Sequence, residues 1–113
     1  MSLDVYLSTP KCPTCGHADE GYSANITHNL GPMANEAGIY KHLWRPEEIG
    51  LTKASQLIEP LRAAVTLMKS DPARFEKFNA KNGWGMYKHF VPFVEQYLAA
   101  CEANPNGDVS VSR

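Results

Sequence analysis

Apolar and polar residues alternate twice near the start of the chain. Leu3, Val5 and Leu7 are interleaved with Asp4, Tyr6 and Ser8, and Tyr22, Ala24 and Ile26 with Ser23, Asn25 and Thr27. A period of two is that of a half-buried strand, whose successive side chains point to opposite faces. The intervening Thr9-Pro10-Lys11-Cys12-Pro13-Thr14-Cys15-Gly16-His17 is rich in turn formers. Residues 1–28 are therefore predicted to form an antiparallel hairpin with an elaborated tip. Val109 and Val111 alternate with serines after the turn Asn104-Pro105-Asn106-Gly107. That pattern predicts a third strand over 108–113, able to pair with either edge of the hairpin.

Between the strands the period lengthens. Leu30, Met33, Ala37, Tyr40 and Trp44 recur at three- and four-residue steps, which predicts a helix with Asn29 as N-cap, Pro32 in its tolerant first turn and Gly38 placed to end or bend it. Ala54, Leu57, Ile58, Leu61, Val65 and Met68 form a second apolar stripe, in which Pro60 should kink the helix or mark its start. Asp71-Pro72 reads as N-cap and first helical residue of a short helix carrying Phe75 and Phe78. Asn82-Gly83 supplies a turn, and Met86, Phe90, Val94, Tyr97 and Cys101 form a last stripe containing Pro92. The reading is a single α+β domain over 1–113: a small antiparallel sheet, made by the N-terminal hairpin plus the C-terminal strand, packed against three to four helices from the 29–104 region. Leu3, Val5, Leu7, Ile26, Leu57, Leu61, Val65, Phe90, Val94 and Leu98 are the expected core.

Composition narrows the class. The chain has 113 residues, 43% apolar and 20% charged, with a net charge of −1. These values suit one compact domain able to bury roughly two thirds of its unfolded surface. No apolar run is long enough for a membrane span, and Met1-Ser2-Leu3-Asp4 lacks the features of a secretory signal, so a cytoplasmic protein with no membrane partner is expected. In that setting the Asn25-Ile26-Thr27 sequon goes unused. Lys and Arg never cluster beyond a pair, so a nucleic acid duplex is not an expected partner.

The chemistry concentrates in Asn25-Ile26-Thr27-His28-Asn29-Leu30, where a strand runs into a helix start. The first N–H groups of a helix lack intrahelical partners and favour anions, while Asn25, Thr27, His28 and Asn29 add directional contacts. Either these residues hold a small polar ligand or they form a capping cluster. Arg45 could clamp a phosphate or pair with Glu48. In Asn82-Gly83-Trp84-Gly85, Trp84 could stack on a nucleobase or anchor the last helix. Cys12-Pro13-Thr14-Cys15-Gly16 has the spacing of a zinc knuckle. It is half a site, and Cys12 and Cys15 would need His17 and His28 to complete a zinc centre. The alternative is a reduced tight turn. His42, His89 and Cys101 stand alone on helices and receive no role.

Taken together, the motifs at 12–16 and 25–30, Met33-Ala34, Glu36-Ala37-Gly38, Leu43-Trp44-Arg45-Pro46, Asn82-Gly83-Trp84-Gly85 and Ala100-Cys101-Glu102 resemble a family of small uncharacterised proteins encoded by bacteriophages and prophages. The resemblance spans nearly the whole chain. It implies a phage accessory protein acting in the bacterial cytoplasm, and implies no mechanism. Two function classes follow. The first is a non-catalytic binder of a small nucleotide-like molecule, such as a host defence signal that it sequesters. Asn25, Thr27, His28 and Asn29 would take its polar edges, Trp84 or Trp44 would stack, Arg45 or Lys41 would meet phosphate, and a homo-oligomer would deepen the pocket. The second is a zinc-stapled module that docks on a host protein through an exposed patch around Tyr40 and Trp44. A hydrolase or nuclease using His28 ranks below both, because no nucleophile or metal–carboxylate cluster is marked out near it.

Overall fold

The computed structural model describes residues 2–8, 20–79, 81, 83 and 85–112. Strands β1 (Ser2–Ser8) and β2 (Glu20–Thr27) form the expected antiparallel pair, and β3 (Asp108–Ser112) joins on the other side of β1, giving the order β2-β1-β3. The first strand is thus the centre of the sheet, and the choice of edge for β3 falls to β1. Leu3 pairs with Ile26, Val5 with Ala24 and Val111, and Leu7 with Tyr22 and Val109. These residues share the core face. Asp4, Tyr6, Ser23, Asn25 and Ser110 occupy the other, where Asn25 Nδ2 donates to Asp4 Oδ1 at 2.7 Å. The fold is α+β, as read from the sequence.

The single helix expected over 30–44 is two. A 3₁₀ turn at His28–Leu30 leads into α1 (Gly31–Glu36), and α2 (Tyr40–Trp44) follows after a reversal. The reversal is a Schellman motif. Gly38 sits at φ +80°, its N–H donates to Asn35 O, and the Ile39 N–H donates to Ala34 O, both at 3.0 Å. A glycine adopts that left-handed backbone without the steric cost of a Cβ, and the two bonds satisfy carbonyls that the helix end would orphan. Ile39 and Ala34, the apolar pair that accompanies such a motif, are both buried. The cap at the start also differs from expectation. Thr27, not Asn29, occupies the N-cap, and its hydroxyl accepts from the Asn29 N–H at 3.3 Å.

After a 3₁₀ turn at Pro46–Ile49, α3 (Ser55–Ser70) runs uninterrupted through Pro60, which therefore does not mark its start. Its first N–H groups are met by the C-terminal turn: Ala54 N donates to Gly107 O and Ser55 N to Pro105 O, both at 2.9 Å. The short α4 (Pro72–Glu76) begins at the proline, but Asp71 makes no side-chain cap bond, and Phe78 lies beyond the helix end. α5 (Tyr87–Ala103) contains Pro92, and Asn79 Oδ1 accepts from its first N–H at 2.7 Å. Leu57, Leu61, Ala64 and Met68 of α3 face Phe90, Val94, Tyr97 and Cys101 of α5 in the buried layer beneath the sheet. Eight of the ten predicted core residues are buried; Val65 and Leu98 are only partly so and pack at its margin. Among the described residues no helix is long and apolar enough to cross a membrane.

Candidate functional site

The Schellman reversal folds α2 back so that Tyr40 and Trp44, four residues apart and on one helix face, come against the 3₁₀ turn and α1. Tyr40 and Trp44 stack with ring centroids 5.4 Å apart and 10° between planes, and His28 meets Trp44 in a T-shaped contact at 6.2 Å and 75°. Gly31 packs beside the Tyr40 ring, where a Cβ would make ordinary contact at 3.5 Å with Tyr40 Cε1. A groove of about 500 Å³ results. Its walls are His28 from the turn, Gly31, Pro32 and Asn35 from α1, and Tyr40 with Trp44 from α2, while Arg45 stands at the rim. The volume lies within the range of small-molecule sites.

The rim is charged but locally paired. Arg45 Nη1 reaches Glu48 Oε2 at 3.1 Å, and Lys41 Nζ lies 4.0 Å from the other oxygen of the same carboxylate. Hydrogen bonds to Tyr40 and then Glu48 raise the Arg45 pKa above its ordinary value. The pairing foreseen for Arg45 with Glu48 is thus present. Trp44 is 3% exposed, which removes both the exposed aromatic patch expected around it and its use as a stacking surface. Tyr40, half-buried, is the ring that remains accessible in that pair. His28 Nε2 is buried and has no hydrogen-bond partner among the described residues.

The structure brings only part of the predicted set together. His28 and Arg45 share the groove. Asn25 does not, because its position in β2 turns it to the sheet's outer face beside Asp4. Thr27 caps the turn, and Asn29 is exposed on it. Cys12, Cys15, His17, Asn82 and Trp84 lie outside the described residues, and among those described no group of three His, Cys, Asp or Glu side chains could hold a metal. Sequence reasoning missed Gly31, Pro32 and Asn35 as lining residues, and set Tyr40 in an exposed patch where the structure has it half-buried on the groove wall. The available signal was a glycine–proline pair facing an aromatic pair at helical spacing.

Gly85, buried and at φ +113°, lies so close to the turn that a Cβ on it would be 2.9 Å from Asn29 Cβ and 3.3 Å from Thr27 Cγ2. The loop before α5 therefore braces the residues flanking His28.

A second buried polar set lies between sheet and α5. Tyr22 and Tyr97 stack at 5.8 Å with 13° between planes, and both hydroxyls are buried with no hydrogen-bond partner among the described residues. Burial raises both phenol pKa values, and burial together with the Glu102 charge pushes the Cys101 thiol up to about 12. A thiol so held stays protonated near neutral pH and is a poor nucleophile. No protein-family model, curated protein or solved structure matches this chain.

Proposed function

We propose that the protein binds a small nucleotide-like molecule, without transforming it, in the groove between the 3₁₀ turn, α1 and α2. The observation that carries this reading is the cavity of about 500 Å³, whose wall includes the half-buried Tyr40 ring. Ligand sites are typically concave and mostly apolar, with a few polar groups that fix orientation. Here the apolar part is aromatic, and Asn35, His28 and Arg45 supply the polar edges. His28 is set against Trp44 with its Nε2 buried, an arrangement suited to shaping a wall and not to relaying a proton to a nucleophile. In the bacterial cytoplasm implied by the phage resemblance, such a binder would act by sequestering its ligand, for instance a host defence signal.

Native mass spectrometry of protein purified from bacteria, repeated after denaturation and after chelation, tests the proposal. A nucleotide-sized mass released on denaturation, and lost in Tyr40→Ala, is the expected result. The same preparation reports any zinc at the Cys12 and Cys15 turn and the subunit number. As a second arm, a ligand at a hundred times its Kd should add about 2.7 kcal/mol to stability. Failure of a panel of nucleosides and nucleotides to shift the melting temperature, together with an empty preparation, overturns the reading.

A further inference from the structure

We infer that the groove selects its ligand chiefly by an uncharged aromatic heterocycle, a nucleobase or nucleoside, and that phosphate groups add little affinity. This rests on the reading of the groove as a ligand site. Two features of the rim and wall carry it. The first is the paired-ring tier. Trp44 is buried behind Tyr40 at 5.4 Å and nearly parallel to it, so that Tyr40 is held as a rigid and partly accessible ring. A planar heterocycle extends such a stack at little cost in ordering, because the partner ring is already fixed. Asn35, an exposed lining residue of α1, has both a donor and an acceptor for a heterocycle's edge.

The second feature is the engagement of the cations. A phosphate clamp needs a guanidinium or ammonium with unspent charge. Arg45 and Lys41 converge on one carboxylate, Glu48, at 3.1 and 4.0 Å. Arg45 is further tied to Tyr40. A phosphate arriving at Arg45 would have to share it with Glu48 and would meet that carboxylate's repulsion. Glu48 thus offsets part of the positive charge of these two cations and opposes an anion arriving beside it.

Isothermal titration of adenosine, guanosine, cytidine and thymidine, and of their 5′-monophosphates, against the wild type, Tyr40→Ala and Glu48→Gln tests this. In the wild type a nucleoside and its monophosphate are expected to bind within about threefold of one another. Tyr40→Ala should weaken both at least tenfold. Glu48→Gln, which leaves the two cations without their carboxylate, should raise the affinity for the monophosphate relative to that for its nucleoside by about tenfold. A wild-type preference for the monophosphate of more than tenfold, indifferent to Glu48→Gln, overturns the inference while leaving the groove a nucleotide site. If neither form binds a protein shown by circular dichroism to be folded, the inference and the function proposed for the groove fall together.

Discussion

Gly85 and Gly38 form a natural pair of probes, since both hold positive φ, at +113° and +80°, but only one has neighbours. Around a Cβ added at Gly38 nothing lies within 4 Å, so Gly38→Ala meets backbone strain alone. That strain costs about 1–2 kcal/mol, offset by about 0.4–1 kcal/mol because alanine restricts the unfolded chain. Gly85→Ala carries the same two terms at a φ farther from the left-handed well. It adds a collision at 2.9 Å with Asn29 Cβ and contacts of 3.3 and 3.4 Å with Thr27 Cγ2 and the Asn29 carbonyl carbon. Two of these three atoms belong to, or sit directly on, the backbone and cannot swing aside, and overpacking of that kind costs about 1–3 kcal/mol more. The expectation is roughly 1 kcal/mol for Gly38→Ala and about 3 kcal/mol for Gly85→Ala. For a domain of this size that corresponds to melting-point losses of about 4 and 12 °C. Urea denaturation of the two variants beside the wild type measures both. If Gly85→Ala costs no more than Gly38→Ala, the loop before α5 does not brace the Thr27–Asn29 turn, and its account as support for His28 is wrong.

Other perturbations separate the remaining forces. Tyr97→Phe removes a buried hydroxyl that has no hydrogen-bond partner among the described residues, so it should be neutral or stabilise by up to about 1 kcal/mol; a loss above about 1 kcal/mol in thermal denaturation would show that the hydroxyl is bonded. Asn79→Ala deletes the 2.7 Å acceptor at the start of α5 and should cost about 1 kcal/mol, with the denaturant slope unchanged. Burial lowers the His42 pKa below its ordinary 6.5, so the unfolded chain takes up that proton first as pH falls. Above about pH 6.5 the residue exerts no pH effect on stability, and below it stability declines. Chemical denaturation from pH 8 to pH 5 should show this decline, and His42→Gln should flatten it; an equal decline in the variant assigns the effect to other groups.

The strands were legible because alternation is a local signal: every second residue of β1 is buried, and a slip of one would expose Leu3, Val5 and Leu7 together. The same parity places Asn25 opposite Ile26 in facing, so its exclusion from the groove was available in the sequence and was overlooked in favour of motif density. The break at Gly38 was half visible. A glycine within an apolar stripe signals a stop or a bend, but only the αL backbone, with Ile39 landing on Ala34, decides for reversal. The pairing of β3 with β1 was beyond sequence reasoning, since a strand 100 residues away selects its edge through long-range packing. Trp44 was misjudged for a similar reason, because periodicity places it on a face without saying how much chain will cover it.

The groove owes its existence to backbone devices more than to core depth. A homo-oligomer was expected to deepen the pocket of so small a chain. The groove lies within one chain, its wall made by two short helices folded back to back. The Thr27 cap sets the exit of β2, Gly38 turns the chain, and Glu48 holds Arg45 and Lys41 after α2. Each device is local, so the groove's shape depends on few long-range contacts, chiefly the burial of Trp44 and the brace at Gly85. Substitutions in the α3–α5 layer should therefore lower stability without reshaping the groove, whereas a change at Gly38 should alter ligand affinity out of proportion to its effect on melting. Proportional loss in both sets would mean that the groove is an extension of the global core and not a locally built site.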